Sequence, residues 1–257
     1  MKSTTRFTST WISIGTILAG YFLALPFQVA AQNTCSGAQG QNAVFNSTCN
    51  NGNLGIVGSS AFIDASKFAI SGSNFCGVLK GILGATSFLS GTVIDARGLN
   101  SNNTNMTCTG TPWSGITNPP PSTILLPAGT IVTSSTWTLP TGTHLVGVGD
   151  GIGSGTTIQS TPAFSTNPGP LIAFCSSACM GVSVERLNLD GLGGNISAII
   201  NQFAGEASFV DHVTLYQIRG TGLLVQGSAN NSGPYSNITF DTGRVAHPFH
   251  PATLNHT

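Results

Sequence analysis

Three short motifs in the second half of the chain set the narrowest limit on its fold. Val184-Glu-Arg-Leu-Asn-Leu-Asp190 aligns with Val210-Asp-His-Val-Thr-Leu-Tyr216 and with Tyr235-Ser-Asn-Ile-Thr-Phe-Asp241. Their apolar-x-apolar cores, Leu187/Leu189, Val213/Leu215 and Ile238/Phe240, recur at intervals of 26 and 25 residues. A repeat of this length marks a stacked array, in which each unit buries its apolar face only against its neighbours. Secondary runs at Ala198–Ile200 and Leu223–Val225 fit two or three short strands into each interval, the make-up of one coil of a β-solenoid. Leucine-rich arrays share the period, but their L-x-x-L-x-L-x-x-N frame is missing and no helix is predicted within a repeat.

The stretch from Ser122 to Gln159 is punctuated in the same way. Ile124–Leu126, Thr136–Leu139, Leu145–Val148 and Thr156–Ile158 read as strands, separated by Pro-Ala-Gly, Pro-Thr-Gly and a Gly-rich cluster ending at Gly155. Runs this short cannot make helices, and the density of Gly and Pro would break one. The glycines from Gly147 to Gly153 read as turn formers, since no G-x-G-x-x-G register fits and no βαβ unit follows. Further upstream, Ala61–Ala65 and Thr92–Ala96 read as strands and Asn100–Pro121 as a long polar loop. Between those strands Phe75, Val78, Leu79, Ile82 and Leu83 fall at i, i+3, i+4, i+7 and i+8. With Ser73 and Asn74 ahead of them as a cap, they predict one amphipathic helix over 73–84.

Charged residues make up 6% of the chain, against about a quarter in an average domain. Gly, Asn, Ser and Thr take their place. Disordered chains are charge-rich and poor in β-branched residues, so this composition argues for wound β structure with uncharged turns. Residues 1–31 read as an export signal: Lys2 and Arg6 in front, an apolar run over Trp11–Leu25, and Val29-Ala30-Ala31 ahead of Gln32. That run is short for a membrane span, and no later one approaches ~18 apolar residues. Without the signal, six bases face eight acids, a net charge of −2, which attracts neither nucleic acid nor an anionic membrane. The reading is a secreted protein, extracellular or periplasmic.

Cys35, Cys49, Cys76, Cys108, Cys175 and Cys179 all follow the expected cleavage point. An even number in an exported chain implies disulfides, although six cysteines allow 15 connectivities. Cys175 with Cys179 is the nearest local pair and Cys35 with Cys49 the next. Zinc is the rival reading, and no C-x2-C pair or matched histidine spacing supports it. Residues 32–60, rich in Gly, Asn and Ser, read as a surface extension tied by Cys35 and Cys49.

The sequence T-I-L-L-P-A-G-T, followed by T-W-T-L-P-T-G-T-H-L-V-G-V-G and T-T-I, resembles the first coil of the pectate-lyase superfamily. The later V-E-R-L-N-L-D-G and F-V-D-H-V-T-L match that family's coil style, and the resemblance covers Ala61 to Gly243. It implies an all-β, right-handed parallel β-helix over 61–243, with a helix like Asn74–Leu83 and a strand like Thr92–Ala96 capping its open end. It also implies a polysaccharide partner. The hydrolase motifs of polygalacturonases, N-T-D, D-D, G-H-G and R-I-K, are absent. Ca²⁺-dependent lyases of the family cluster acids on adjacent coils. Here only Glu185 and Asp211 align in consecutive coils, which leaves Ca²⁺ unsupported and no cofactor expected. Arg186, Arg219 and Arg244 are the available lyase bases, and no motif selects one.

With Leu187 and Leu189 inward, alternation sends Arg186, Asn188 and Asp190 outward. The repeat then stacks Arg186, His212 and Asn237 in one column. Asn188, Thr214 and Thr239 form a second, and Asp190, Tyr216 and Asp241 a third. Arg186, Asp190, His212, Tyr216 and Asp241 are the expected substrate-binding face. Asp190 and Asp241, two coils apart at ~4.8 Å per coil, border the separation of ~6.5–9.5 Å used by inverting glycosidases. Both also read as turn formers, in Asp190-Gly191 and Asp241-Thr-Gly243. His247-Pro-Phe-His250 has an H-x2-H spacing, but its prolines oppose the helix that would align the rings, so no metal site is expected. The N-x-S/T triplets, such as those at Asn46 and Asn237, matter only in a glycosylating host. Residues 244–257 read as an irregular tail, truncated or altered. The expected function is an exported protein that binds or degrades polysaccharide. The alternatives are a non-catalytic surface or adhesion solenoid and an inert fragment of a larger carbohydrate-active enzyme.

Overall fold

The computed structural model describes residues 62–68, 74–84, 90–100, 105–166, 169–227, 230–243 and 254–256. The expected signal at 1–31, the 32–60 extension, Cys35, Cys49, Arg244, His247 and His250 lie outside them. The described chain is a right-handed parallel β-helix of about 6 turns. It enters with β1 (Phe62–Asp64), helix α1 (Phe75–Leu83), β2 (Thr92–Asp95) and β3 (Met106–Cys108). Two coils of three strands follow: β4 (Ser122–Leu125), β5 (Gly129–Thr133) and β6 (Trp137–Leu139), then β7 (Thr143–Val146), β8 (Thr156–Ser160) and β9 (Pro170–Phe174). Beyond these, the first two strands of each coil run together. The last three coils are β10 (Ser183–Asp190) with β11 (Ser197–Asn201), β12 (Phe209–Tyr216) with β13 (Leu223–Val225), and β14 (Tyr235–Asp241) with β15 (Leu254–His256).

The pairings are parallel and divide the winding into three faces. The first stacks β1, β2, β4, β7 and the front half of β10. The second stacks β3, β5, β8 and the back half of β10. β12 and β14 continue both faces, and the third face runs β6, β9, β11, β13, β15. The segment expected to be irregular thus contributes β15, which pairs with β13.

A one-residue corner separates the first two faces. Arg186, His212 and Asn237 have φ of 54°, 52° and 53°, a left-handed conformation that L-residues seldom adopt. Strict alternation would put Val184 and Leu187 on opposite sides of the sheet. The left-handed residue between them resets the phase, and both are fully buried. Gly147 fits beneath this corner because it has no side chain: a Cβ there would come within 2.2 Å of the Arg186 carbonyl.

The core is a set of inward ladders. Ile94, Ile124, Leu145, Val184 and Val210 line the first face, and Trp137, Ile172, Ile199 and Leu223 the third. Each such side chain contributes about 1.5–3 kcal/mol on burial. Helix α1 forms where the i, i+3, i+4 stripe predicts it, capped by Asn74, whose Oδ1 accepts from the Gly77 N–H at 3.3 Å. Phe75 stacks on Trp137 with ring centroids 6.4 Å apart, and Cys76 is bonded to Cys108 of β3. The helix is thereby fixed against the first strand of the third face and the first strand of the second. The predicted Cys175–Cys179 bridge is formed.

Candidate functional site

The register stacks the columns as the repeat predicts. Glu185, Asp211 and Ser236 are in line, as are Leu187, Val213 and Ile238, which places Arg186, His212 and Asn237 between them at the corner. Asn188 pairs with Thr214 and Thr214 with Thr239, while Asp190 pairs with Tyr216 and Tyr216 with Asp241.

On the first face the polar side chains hold one another across coils. Ser183 Oγ donates to Glu185 Oε1 at 2.6 Å and lies 2.8 Å from His144 Nδ1. A hydroxyl has one proton. With it given to Glu185, Ser183 accepts from the Nδ1–H of His144. In the next coil Asp211 Oδ1 accepts from Ser236 Oγ at 2.7 Å and from Asn237 Nδ2 at 2.9 Å. Its Oδ2 accepts from His212 Nδ1 at 2.7 Å. These donors, Ser236 first, then Asn237 and His212, hold the Asp211 carboxyl down at about 2. Asp211 therefore stays ionised and cannot serve as a proton donor near neutral pH.

The outcome is a polar ridge at the corner. Two carboxylates, Glu185 and Asp211, stand one coil apart. Arg186, His212 and Asn237 are exposed beside them. The ridge offers carboxylate acceptors, an exposed imidazole and guanidinium and amide donors to a ligand laid along the winding.

Of the five expected site residues, the structure brings Arg186 and His212 to this ridge. Asp190, Tyr216 and Asp241 lie in their own column on the second face. Asp190 is only 6% exposed. Its Oδ1 accepts from the Leu192 N–H at 2.8 Å and its Oδ2 from Gln159 Nε2 at 2.7 Å. Asn188, sent outward by alternation, is also buried, because its amide donates to the Gly151 and Thr156 carbonyls under the Gly-rich loop. Asp241 Oδ1 accepts from the Gly243 N–H at 2.8 Å. Both aspartates thus make the turn bonds that Asp-Gly and Asp-x-Gly sequences favour.

His144 and Ser183 escape the sequence reading. Leu145 stands opposite Val184 in the register although 39 residues separate them, so counting by 25 or 26 never aligns the two coils. At the other end of the face, Asp95 is paired with Arg97 through Nε and Nη2 at 2.9 and 2.8 Å. The side-chain bonds from Arg97 hold the Asp95 carboxyl low. Among the described residues no three His, Cys, Asp or Glu side chains converge to hold a metal, and no helix is long and apolar enough to cross a membrane. Comparison of the chain with protein-family models, with curated proteins and with solved structures gives no match.

Proposed function

We propose that the protein is an exported polysaccharide-binding β-helix of the pectate-lyase superfamily type, holding an extended glycan along the corner ridge without cleaving it. The observation that carries this reading is the Asp211 cluster. Its carboxylate is held in place by three donors from two coils and is ionised, and it keeps acceptor capacity for a ligand hydroxyl. The ~4.8 Å spacing of coils is close to the length of one pyranose unit, so successive sugars meet successive coils. Carboxylates, amide and guanidinium at that spacing match the hydroxyl groups of a sugar chain. The signal-like segment at 1–31, the two disulfides and the superfamily-like first coil support export and a polysaccharide partner.

One observation favours turnover by the same ridge. Glu185 and Asp211 are paired in adjacent strands, whose backbones lie ~4.8 Å apart. That spacing is comparable to the ~5–5.5 Å between the carboxyls of retaining glycosidases, in which an ionised carboxylate attacks and the second carboxyl gives the proton. In that reading Asp211 is the nucleophile and Glu185 the acid.

A single experiment separates the two. The purified protein is passed over immobilised pectin, rhamnogalacturonan and alginate, and the eluates are assayed for new reducing ends and for the absorbance of unsaturated products. Retention on at least one polysaccharide with neither product is the expected result. Retention with new reducing ends and no unsaturated product replaces binding by hydrolysis, retention with both products replaces it by elimination, and absence of retention on all three removes the polysaccharide reading.

A further inference from the structure

A cleft of about 430 Å³ opens at the end of β6, between the 113–121 segment and the disulfide-closed loop at Cys175–Cys179. It lies on the third face and its turn, away from the corner ridge, and shares no residue with it. Its volume is within the ~300–1,000 Å³ typical of small-molecule sites.

The lining has two halves of different chemistry. The floor is apolar: Trp113 and Leu139 are 7% and 0% exposed. Trp113 meets Trp137 edge to face, with ring centroids 6.2 Å apart. The walls carry hydroxyls and one amide, from Thr138, Thr141, Ser176, Ser177 and Asn118. No Asp, Glu, Lys, Arg or His is among the lining residues. A charged ligand would therefore lose hydration with no opposite charge to replace it. The walls are also stiff. One is closed by the disulfide, and Pro119, Pro121 and Pro140 fix the backbone dihedrals of the others. A cleft shaped in advance loses little entropy on binding.

An uncharged ring with apolar faces and hydroxyls around its edge fits both halves at once. A purely apolar ligand would cover the wall hydroxyls without pairing them. We propose that this cleft is a second binding site, for a neutral saccharide of one or two rings, independent of the ridge and of what the ridge binds.

The tryptophans report on it directly. The chain has three; Trp113 lines the cleft, Trp137 packs against it, and Trp11 lies in the expected export signal. The protein is titrated with cellobiose, mannobiose and xylobiose, with digalacturonate, and with hexanol, while tryptophan emission is followed. The expected result is a saturable change with at least one neutral disaccharide, at least 10-fold weaker with digalacturonate and hexanol. Ser177→Phe and Thr141→Phe, which add bulk at two lining positions on adjacent turns, each weaken it at least 10-fold while their thermal unfolding stays cooperative. If one variant fails to fold, the other decides. The proposal is overturned if no neutral disaccharide gives a saturable change, if digalacturonate or hexanol binds as well, or if a folded variant binds like the native chain.

Discussion

Asp211 accepts the side-chain amide of Asn237 from the following coil at 2.9 Å, at the corner where Asn237 is held with φ of 53°. The bond joins the ionised group of the ridge to the backbone feature that shapes it. Adjacent coils therefore fix both the charge of the ridge and its geometry.

The charge makes the fold sensitive to acid in a defined window. The Asp211 carboxyl sits at about 2, below its ordinary 3.8, so the folded state favours the ionised form. Its stabilisation is complete above the ordinary value and is lost as pH falls through the folded one. Asp211→Asn lacks that contribution at every pH. Thermal melts of the two proteins should differ by a constant amount above about pH 5 and converge as the pH approaches about 2. A gap that stays constant down to that pH would show that the cluster does not hold the proton off Asp211.

The corner makes a prediction about backbone strain. Arg186 adopts φ of 54°, where a β-branched residue is strained and glycine is not. Arg186→Val should unfold at lower urea than Arg186→Gly, by about 1–2 kcal/mol. Both substitutions remove the same guanidinium, so their difference isolates the dihedral. Equal midpoints would mean that the corner relaxes when the side chain changes.

The two disulfides should differ in worth according to the chain they enclose. Cys76–Cys108 spans 32 residues and Cys175–Cys179 spans 4. Loop-closure entropy assigns about 3–4 kcal/mol to the first and about 2 kcal/mol to the second. Denaturant unfolding of the paired alanine variants should follow that order. The reverse order would show that native contacts held in place by the Cys175–Cys179 bridge outweigh chain entropy.

The winding was legible because its cause is local. Leu187/Leu189 and Val213/Leu215 recur at a fixed interval, and apolar alternation dictates which way they point. The α1 stripe and the Cys175–Cys179 pair are equally short-range. Strand β5 (Gly129–Thr133) opens on the glycine of the Pro-Ala-Gly turn and is recognisable only once β8 pairs with it. Burial of Asp190 needs Gln159, 31 residues away. The His144–Ser183–Glu185 chain needs a register that two long loops conceal. The floor of the cleft comes from Trp113, in a segment whose polar composition gives no hint that it folds back over β6. In each case the missing information is a contact across coils, which no periodicity records.

Those loops have a practical consequence. Coils whose registered residues lie 39 and 26 positions apart, Leu145 to Val184 and Val184 to Val210, meet in step on the same strand. Much of the surplus length leaves the winding at the 147–155 corner, where Ile152 is exposed, and the ladders on either side keep their spacing. Chain length and frame are thus decoupled at this corner. A foreign peptide spliced in at Ile152 would ride outside the frame, which makes the protein a display scaffold whose guest sequence can be exchanged without redesigning its host.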